Sequence, residues 1–427
     1  MDKISFSKLD FNLYYEKLDN GLEVYLLPNE NVQNKYVTFS TKYGSIDNEF
    51  IPHGMNTMKK VPDGIAHFLE HKLFEQESGE DPFTFFSERG ADANANTSHY
   101  KTTYLFSGTD FLEENLNFLL DYVQSPYFTD ENVLKEQGII EQEILMYQDN
   151  PYSKLSEELI YNAFCNHPIK YSVIGNAKSI HSITKEDLYL CYNTFYHPSN
   201  MFVVVVGNID VESILNLIKR NQSQKEFPPF KEIVRKTYKE PDHVSKKYSL
   251  LQMDNIYLPK VSIGYKINKS KFSMDDVSLK MYLSIVFDIL LGNTSLFYET
   301  LKHDKLIYDD IYMDMITTNE HILFILSAEV EDTNLFIQKV EEVLKTRTIS
   351  EEELERKKKV FISNSILMTD NIYTVGNKIM SDVVSYNKVI PDMMDRIHDI
   401  SFEKMQEFNK KLDLDNKTVC IIEAKEK

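Results

Sequence analysis

Strand-length apolar runs alternate with longer amphipathic helical patterns along this 427-residue chain, and the same alternation begins again after residue 247. In the first part, strands are predicted at 22–27, 36–41, 91–97, 102–107 and 201–207, and helices at 64–74, 112–124, 130–147 and 153–165. In the second part, strands are predicted at 261–265, 310–315, 322–328 and 418–422, and helices at 277–291 and from Ser350 onward. The pattern predicts an α+β fold built from two similar halves.

The stretch 221–247 interrupts both patterns. It contains Pro228, Pro229, Pro241 and many charged residues, and it has little apolar periodicity. Because proline ends helices and such a stretch has no apolar face to bury, we interpret it as a linker. The predicted halves are therefore 1–220 and 248–427.

Charge and cysteine content exclude some classes of protein. Acidic residues outnumber basic ones 66 to 47, and the formal charge of -19 argues against a nucleic-acid-binding protein. Cys165, Cys191 and Cys420 show no metal-ligand spacing, so free thiols in a reducing compartment are expected. The N-terminus has no apolar signal-peptide core and no apolar run reaches about 18 residues, so we expect a cytoplasmic protein without a membrane span.

The most informative pattern is GIAHFLEH at residues 64–71. Residues three and four apart share a helix face, so His67, Glu70 and His71 project together. Two imidazoles at this spacing can hold one Zn2+, and the nearby carboxylate can accept a proton from water. HxxEH is the inverse of the HExxH zinc-peptidase motif. The other interpretation, two surface histidines with an incidental glutamate, stays open on the motif alone.

A catalytic zinc site usually has a third protein ligand and one open position. The predicted helix 130–147 offers a carboxylate, because Glu136 and Glu143 lie two turns apart on nearly one face, with Ile139 and Ile140 between them. A carboxylate among buried apolar residues is costly unless it is paired or binds a metal. The alternative for both glutamates is a solvated helix surface.

With their flanking sequence, these residues resemble the pitrilysin family of zinc peptidases, which includes insulysin and the mitochondrial processing peptidase. The matching stretches are NGLEVYLLPNE, YGSIDN, GIAHFLEHKLFE, GADANANTSHYKTTYLFS, EQGIIEQEILMYQDNP, HPIKYSVIGNAKSIHSIT and FYHPSNMFVVVVGNID. They recur in this order in short bacterial members, strongly over residues 12–210 and only loosely over the second half.

The resemblance implies a zinc endopeptidase with one Zn2+ per chain. His67, His71 and Glu143 become the metal ligands, and Glu70 becomes the general base that takes a proton from water and delivers it to the leaving amine. Glu136 matches a glutamate that supports the site from nearby. The first half is then the catalytic half, and the second is a homologous half without the metal motif.

The resemblance also assigns Asn94, Ala95 and Thr97 to substrate binding. They match an NAxT stretch on a sheet edge, where the substrate backbone adds as an extra strand and its main-chain hydrogen bonds give affinity. Judged from the residues alone, Asn94 has another interpretation, an asparagine in a turn or bulge.

The second half departs from the family pattern. Relatives complete the site with an arginine and a tyrosine in a stretch like LRxxxGLAY, whereas residues 301–308 read LKHDKLIY. Tyr308 matches the tyrosine and is predicted as a catalytic residue; an ordinary half-buried tyrosine is the alternative. Lys302 is a rough substitute for the arginine, because an ammonium lacks the planar fork of a guanidinium.

The fold implied by the resemblance is two homologous halves, each an antiparallel sheet flanked by helices, that form a clamshell around a chamber in which peptides are cleaved. Short members pair as homodimers or as heterodimers with a related chain. Two rival functions are a non-catalytic structural or regulatory subunit of a heteromeric peptidase-like complex, and a zinc-binding module in which Glu70 is idle. The presence of all four motif residues favours the enzyme.

Overall fold

Two mixed β-sheets with helices packed against them carry the fold, and each is built by its own part of the chain. In the computed structural model, which describes residues 1–6, 8–9 and 11–425, the chain divides into two units. Unit 1 consists of Met1–Leu145, Ser172–Thr237 and Ser365–Met393, and unit 2 of Met146–Tyr171, Tyr238–Asn364 and the residues from Met394 onward. The predicted linker 221–247 is thus divided between the two units.

The strands and helices follow one another along the whole chain. The strands are β1 (Asp2–Ser5), β2 (Asn12–Lys17), β3 (Glu23–Pro28), β4 (Lys35–Thr41), β5 (Glu49–Phe50), β6 (Lys59–Lys60), β7 (Ala91–Thr97), β8 (Thr102–Gly108), β9 (Met201–Gly207), β10 (Tyr248–Met253), β11 (Lys260–Asn268), β12 (Tyr312–Thr317), β13 (His321–Glu329) and β14 (Lys417–Ala424). The α-helices are α1 (Ile65–Leu73), α2 (Pro82–Ser87), α3 (Leu112–Val123), α4 (Asp130–Asp149), α5 (Pro151–Ala163), α6 (Ala177–Ile180), α7 (Lys185–Phe195), α8 (Val211–Ser223), α9 (Asp276–Leu291), α10 (Leu296–His303), α11 (Thr333–Thr346), α12 (Glu351–Leu367), α13 (Ile372–Tyr386), α14 (Met393–His398) and α15 (Phe402–Lys411).

Unit 1 is built on a seven-stranded sheet with the strand order β1-β2-β3-β9-β4-β8-β7. Strands β3 and β9 are parallel, with Val24 opposite Val203, and the other neighbouring strands are antiparallel. Strand β7 lies at one edge of this sheet. The candidate substrate residues of the sequence analysis are therefore on an edge strand, as predicted.

Strand β9 lies at the centre of the unit 1 sheet and is buried along its whole length. Because side chains alternate across a strand, Val203 and Val205 belong to the apolar cluster on one face of the sheet, and Val204 and Val206 belong to the cluster on the other. The uninterrupted apolar run of β9 is thus explained by a sheet that is covered on both faces.

Unit 2 repeats this arrangement with a five-stranded sheet in the order β10-β14-β11-β13-β12. It contains one parallel pair, β10 with β14, and the remaining neighbours are antiparallel. Each strand has the same place and direction as one strand in the order β3-β9-β4-β8-β7 of unit 1. The prediction of two homologous halves, each a sheet flanked by helices, is confirmed, with one parallel pair in each otherwise antiparallel sheet.

One helix in each unit comes from the other half of the sequence. Helix α5 precedes β9 in the chain but packs on β11 and β14 of unit 2, whereas α13 follows β13 but packs on β4 and β9 of unit 1. A glycine allows the close approach in unit 1, because a Cβ on Gly376 of α13 would lie 2.8 Å from the Tyr36 ring.

Among the described residues one helical region, 276–303, which comprises α9 and α10, is a candidate membrane span. By length and composition this region could cross a membrane, but 67% of its most apolar window is buried inside the protein. Core helices of soluble proteins pass the same test, so the region carries no argument for a membrane span.

Candidate metal centre

Helix α1 holds the HxxEH motif and is fixed at its start by two glycines. Gly64 caps the helix at a φ of 89°, and a Cβ there would lie 2.6 Å from the carbonyl oxygen of Ile174. Gly175, at a φ of 76°, approaches Asp63 equally closely. Because left-handed backbone and contact at this distance both exclude a side chain, the start of α1 is locked against the segment that precedes α6.

The motif residues lie on a helix whose other residues are mostly core. Phe68 and Leu69 are fully buried, and they pack in the apolar cluster that also contains Val203 of β9. His67 and Glu70 are each 7% exposed, so their polar groups are held in a largely dehydrated place. Such burial is costly unless these groups are paired or bind a metal.

Helix α4 supplies a carboxylate that faces both histidines of the motif. Glu143 lies with Oε1 3.7 Å from His67 Nε2 and with Oε2 3.5 Å from His71 Nε2. One ligand atom from each of the three residues can be chosen so that all three atoms lie within 4.8 Å of one another. The structure therefore brings together His67, His71 and Glu143, the three residues that the sequence predicts as metal ligands.

Glu136, one of the two predicted α4 glutamates, fixes the orientation of His71. Its Oε1 lies 3.0 Å from His71 Nδ1, so this nitrogen donates a hydrogen bond and Nε2 keeps its lone pair toward Glu143. A carboxylate behind a metal-binding imidazole sets the tautomer and strengthens the nitrogen as a ligand. Burial lowers the pKa of His71, but the hydrogen bond and charge of Glu136, with Glu70 and Glu143, outweigh it and raise the pKa.

His67 is held in the neutral form that metal binding needs. Burial, and then the neighbouring His71, lower its pKa to about 3. Its Nδ1 is buried without a hydrogen-bond partner among the described residues, while Nε2 faces Glu143. Burial also raises the pKa of the Glu143 carboxyl, more than His71 lowers it. A cation between these groups would relieve both the desolvated carboxylate and the unused imidazole lone pairs.

The donor set fits a divalent metal ion and, among the common ones, suits zinc. Zinc in hydrolytic sites is typically bound by two histidines and one carboxylate, with a fourth position left open. Hard cations such as Mg2+ and Ca2+ prefer oxygen ligands, so two imidazoles argue against them.

Glu70, the predicted general base, does not join the ligand group but is oriented beside it. Thr97 donates a hydrogen bond from Oγ1 to Glu70 Oε2 at 2.5 Å, and Thr102 lies 3.3 Å from the same hydroxyl. Burial raises the pKa of Glu70 although the Thr97 hydrogen bond lowers it. One carboxylate oxygen is therefore fixed, and the carboxylate is a stronger base than one in water.

The remaining predicted residues of unit 1 lie along β7. Ala95 is partly buried on the same side of the strand as Thr97, whereas Asn94 is exposed on the other side and accepts a hydrogen bond from Ala95 N at 2.8 Å. Thr97 was predicted to bind substrate; in the structure its hydroxyl is bonded to the base. The Asn94 carboxamide oxygen is thus engaged within β7 itself, and the substrate-binding role of Asn94, Ala95 and Thr97 stays a prediction.

Tyr308 belongs to unit 2, where it follows α10 and is 52% exposed. A hydrogen bond to Glu331, and then slight burial, raise the pKa of its hydroxyl. Lys302, the candidate substitute for the family arginine, donates from Nζ to the Tyr308 carbonyl oxygen. The catalytic role of Tyr308 stays a prediction.

Lys72 is a residue of the site that the sequence analysis missed. It follows His71 directly, its side chain is fully buried, and its ammonium contacts Glu75 and lies 3.6 Å from Glu136 Oε2. Lys72 directly follows a metal-ligand candidate on a predicted helix that is mostly apolar. Because lysine is rarely buried without a partner, this position could have indicated a paired charge near the site.

We expect Glu136→Gln to weaken zinc binding by about 10–100-fold, because the amide can accept the His71 hydrogen bond but carries no charge to strengthen the imidazole. Zinc affinity, measured by competition with a chromophoric chelator, tests this. Glu131→Gln, at the exposed start of the same helix, is the matched control and should leave the affinity unchanged. An unaltered affinity in Glu136→Gln would contradict a supporting role for that glutamate.

Two family models match the chain. One, described as insulinase (peptidase family M16), matches residues 51–177, and one described as the peptidase M16 inactive domain matches residues 182–361. An uncharacterized zinc protease of Bacillus subtilis (strain 168), YmfH, is 42% identical over 363 residues, which are 84% of each chain. The residues matched by the insulinase model include His67, Glu70, His71 and Glu143.

Solved structures resemble the fold closely. An M16-like peptidase from Alicyclobacillus acidocaldarius gives a TM-score of 0.91 at 30% identity and covers 98% of this chain and 100% of its own. A protease from Helicobacter pylori gives 0.83 at 20% identity, with 96% and 99% covered, a likeness that shows the fold alone.

Proposed function

This chain belongs to peptidase family M16, the insulinase family, in agreement with its predicted resemblance to insulysin, and from that premise we propose that it is a zinc-dependent endopeptidase. The observation that carries the proposal is the convergence of His67, His71 and Glu143 beside the oriented base Glu70. A structural subunit has no need to keep a ligand set together with a separate, correctly placed carboxylate. An enzyme of this type needs both.

The proposed roles follow from the contacts. His67, His71 and Glu143 would hold the zinc ion, which when bound supplies Lewis acidity that makes water more acidic and polarises a peptide carbonyl. Glu70 accepts the proton of the attacking water on the oxygen that Thr97 leaves free, and later delivers it to the leaving amine. Thr97 keeps this carboxylate turned toward the site while the proton is held.

The proposed substrate is an extended peptide. Strand β7 is an edge strand of the unit 1 sheet. Its last residue, Thr97, donates a hydrogen bond to Glu70, so the strand ends beside the candidate base. A peptide that adds to this edge would run past the base in a fixed register, because β-pairing sets the position of each residue. No serine or cysteine nucleophile is required.

The assembly and location of the enzyme are also proposals, and they rest on the resemblance and the sequence. We propose a homodimer or a heterodimer with a related chain, located in the cytoplasm. Sedimentation of the purified chain tests the first, and fractionation of the source cells tests the second.

Metal removal tests the proposed function. We expect the purified chain to contain about one zinc ion and to cleave a quenched fluorescent peptide library; a chelator should abolish cleavage and added zinc should restore it. A chain that binds no zinc would contradict the proposal. A chain that binds zinc but cleaves nothing, alone or with related chains added, would support the non-catalytic subunit instead.

A further inference from the structure

A buried lysine with two carboxylate partners lies behind the candidate ligands, and this lysine has no part in the function proposed above. The Lys72 side chain is 0% exposed, although lysine is rarely buried. Its ammonium contacts the carboxylate of Glu75 and lies 3.6 Å from Oε2 of Glu136. This buried ammonium therefore acts on Glu136, a carboxylate that itself hydrogen-bonds a metal-ligand candidate.

Glu136 connects this ammonium to the metal centre. One of its carboxylate oxygens lies 3.0 Å from His71 Nδ1, and the other faces Lys72. The negative charge of Glu136 is therefore divided between an imidazole that it strengthens as a ligand and an ammonium that partly neutralises it. The more of this charge Lys72 compensates, the less of it reaches His71.

We propose that Lys72 is a positioning residue of the metal centre, which acts through Glu136 to hold the zinc affinity below the value that the ligands and Glu136 alone would give. The inference rests on the proposed zinc site and adds to it a residue that sets how tightly the metal is held. Among the described residues the Lys72 ammonium pairs with Glu75 and Glu136 and with none of the three ligand candidates, so we assign it no direct catalytic role.

A purely structural role explains Lys72 less well. The Glu75 side chain is 39% exposed and can be solvated without a buried partner, and Glu136 already has His71. A methionine would fill nearly the volume of the lysine stem without the cost of a buried charge. A buried ammonium at this point is therefore a feature whose effect should be sought in the metal centre.

The test is the zinc affinity of the full chain, measured with a chromophoric chelator as competitor. We expect Lys72→Met to bind zinc about 10-fold more tightly than the wild type. In a Glu136→Gln background the same substitution should change the affinity by less than about 3-fold, because the connecting charge is absent. Lys225→Met is the matched control: it removes a lysine of unit 1 that pairs with Asp121, and it should leave the affinity unchanged.

The outcomes separate this inference from the proposed function. A wild type that binds no zinc overturns both, whereas a wild type that binds zinc with the same affinity as Lys72→Met, or more tightly, overturns the inference alone. Equal effects of Lys72→Met with and without Glu136 overturn the path through that glutamate. If Lys72→Met does not fold, Glu75→Gln replaces it in the test. The Lys72 ammonium then has Glu136 as its remaining charged partner, so zinc binding should weaken by about 3-fold. An unchanged zinc affinity in Glu75→Gln would count against the inference.

Discussion

Replacing Glu70 with glutamine should lower the rate of peptide cleavage by about 10²–10⁴-fold and leave zinc bound. The amide can still accept the Thr97 hydrogen bond, so the side chain should stay in place, but it cannot take a proton from water. Because Glu70 is not among the three residues that converge as ligands, the metal content should be that of the wild type. Cleavage of a quenched fluorescent peptide and zinc analysis of the same sample measure the two effects.

Glu141→Gln is the matched control for this substitution. Glu141 lies on α4 near Glu143, but its carboxylate pairs with the exposed His181 at 3.1 Å and not with the metal centre. We expect nearly wild-type activity. Full activity in Glu70→Gln would remove the general base from the mechanism, and loss of zinc would mean that Glu70 is a ligand.

A buried ion pair in unit 2 should contribute strongly to the stability of the protein. Lys266 and Glu240 form an ion pair at 2.6 Å with side chains only 0% and 1% exposed. Glu240 also accepts backbone hydrogen bonds from Cys165 and Asn166 at 2.7 Å and from His167 at 2.8 Å. Glu240→Ala leaves the Lys266 ammonium buried without a counter-charge and three amides without an acceptor.

We expect Glu240→Ala to lower the free energy of unfolding by about 3–5 kcal/mol, measured by urea denaturation. Glu232→Ala, at an exposed position, should change it by no more than about 0.5 kcal/mol. The double substitution Glu240→Leu with Lys266→Met should recover part of the loss, because no buried charge remains. A loss below about 1 kcal/mol in Glu240→Ala would show that the pair is solvated in solution.

The same pair gives stability a dependence on pH. Burial raises the pKa of Glu240, but the hydrogen bonds from Lys266 and the three backbone amides outweigh it and lower the pKa below its usual value. A lowered carboxyl pKa contributes stability that is present above about 4.3 and is lost as the pH falls through the lowered value. The stability difference between wild type and Glu240→Ala should therefore shrink in acid.

The part of the metal centre on α1 could be predicted from the sequence because it depends on local periodicity, whereas the family resemblance singled out Glu143 as the third ligand. His67, Glu70 and His71 share a face through helical spacing alone, and Glu136 and Glu143 do so on α4. Strand β9 could be predicted for a similar reason, because a short, uninterrupted apolar run is typical of a strand that is buried on both faces. The predicted bounds of α1, β7 and β9 agree closely with the structure.

Other features depend on contacts that sequence spacing does not contain. The parallel pairing of β3 with β9 follows from the packing of the whole unit, and so does the exchange of α5 and α13. The hydrogen bond from Thr97 to Glu70 joins an edge strand to a helix that is distant in the sequence, so spacing could not predict it. The family pattern predicted only a substrate contact for Thr97. Helix α8 was missed although Ile214 and Ile218 recur at helical spacing, because it ends inside the stretch interpreted as a linker.

The exchanged helix α13 has a consequence for the order in which the protein can be completed. The cluster on the far face of the unit 1 sheet consists of strand residues that are made early, such as Leu13 and Phe202, and of Val375 and Ile379, which are made late. A ribosome must therefore translate beyond α13 before this face is covered, although the ligand candidates were all made before residue 144. Full packing of the sheet that supports the site is thus tied to synthesis of nearly the entire chain, so a prematurely terminated product would carry the motif on an incompletely covered sheet.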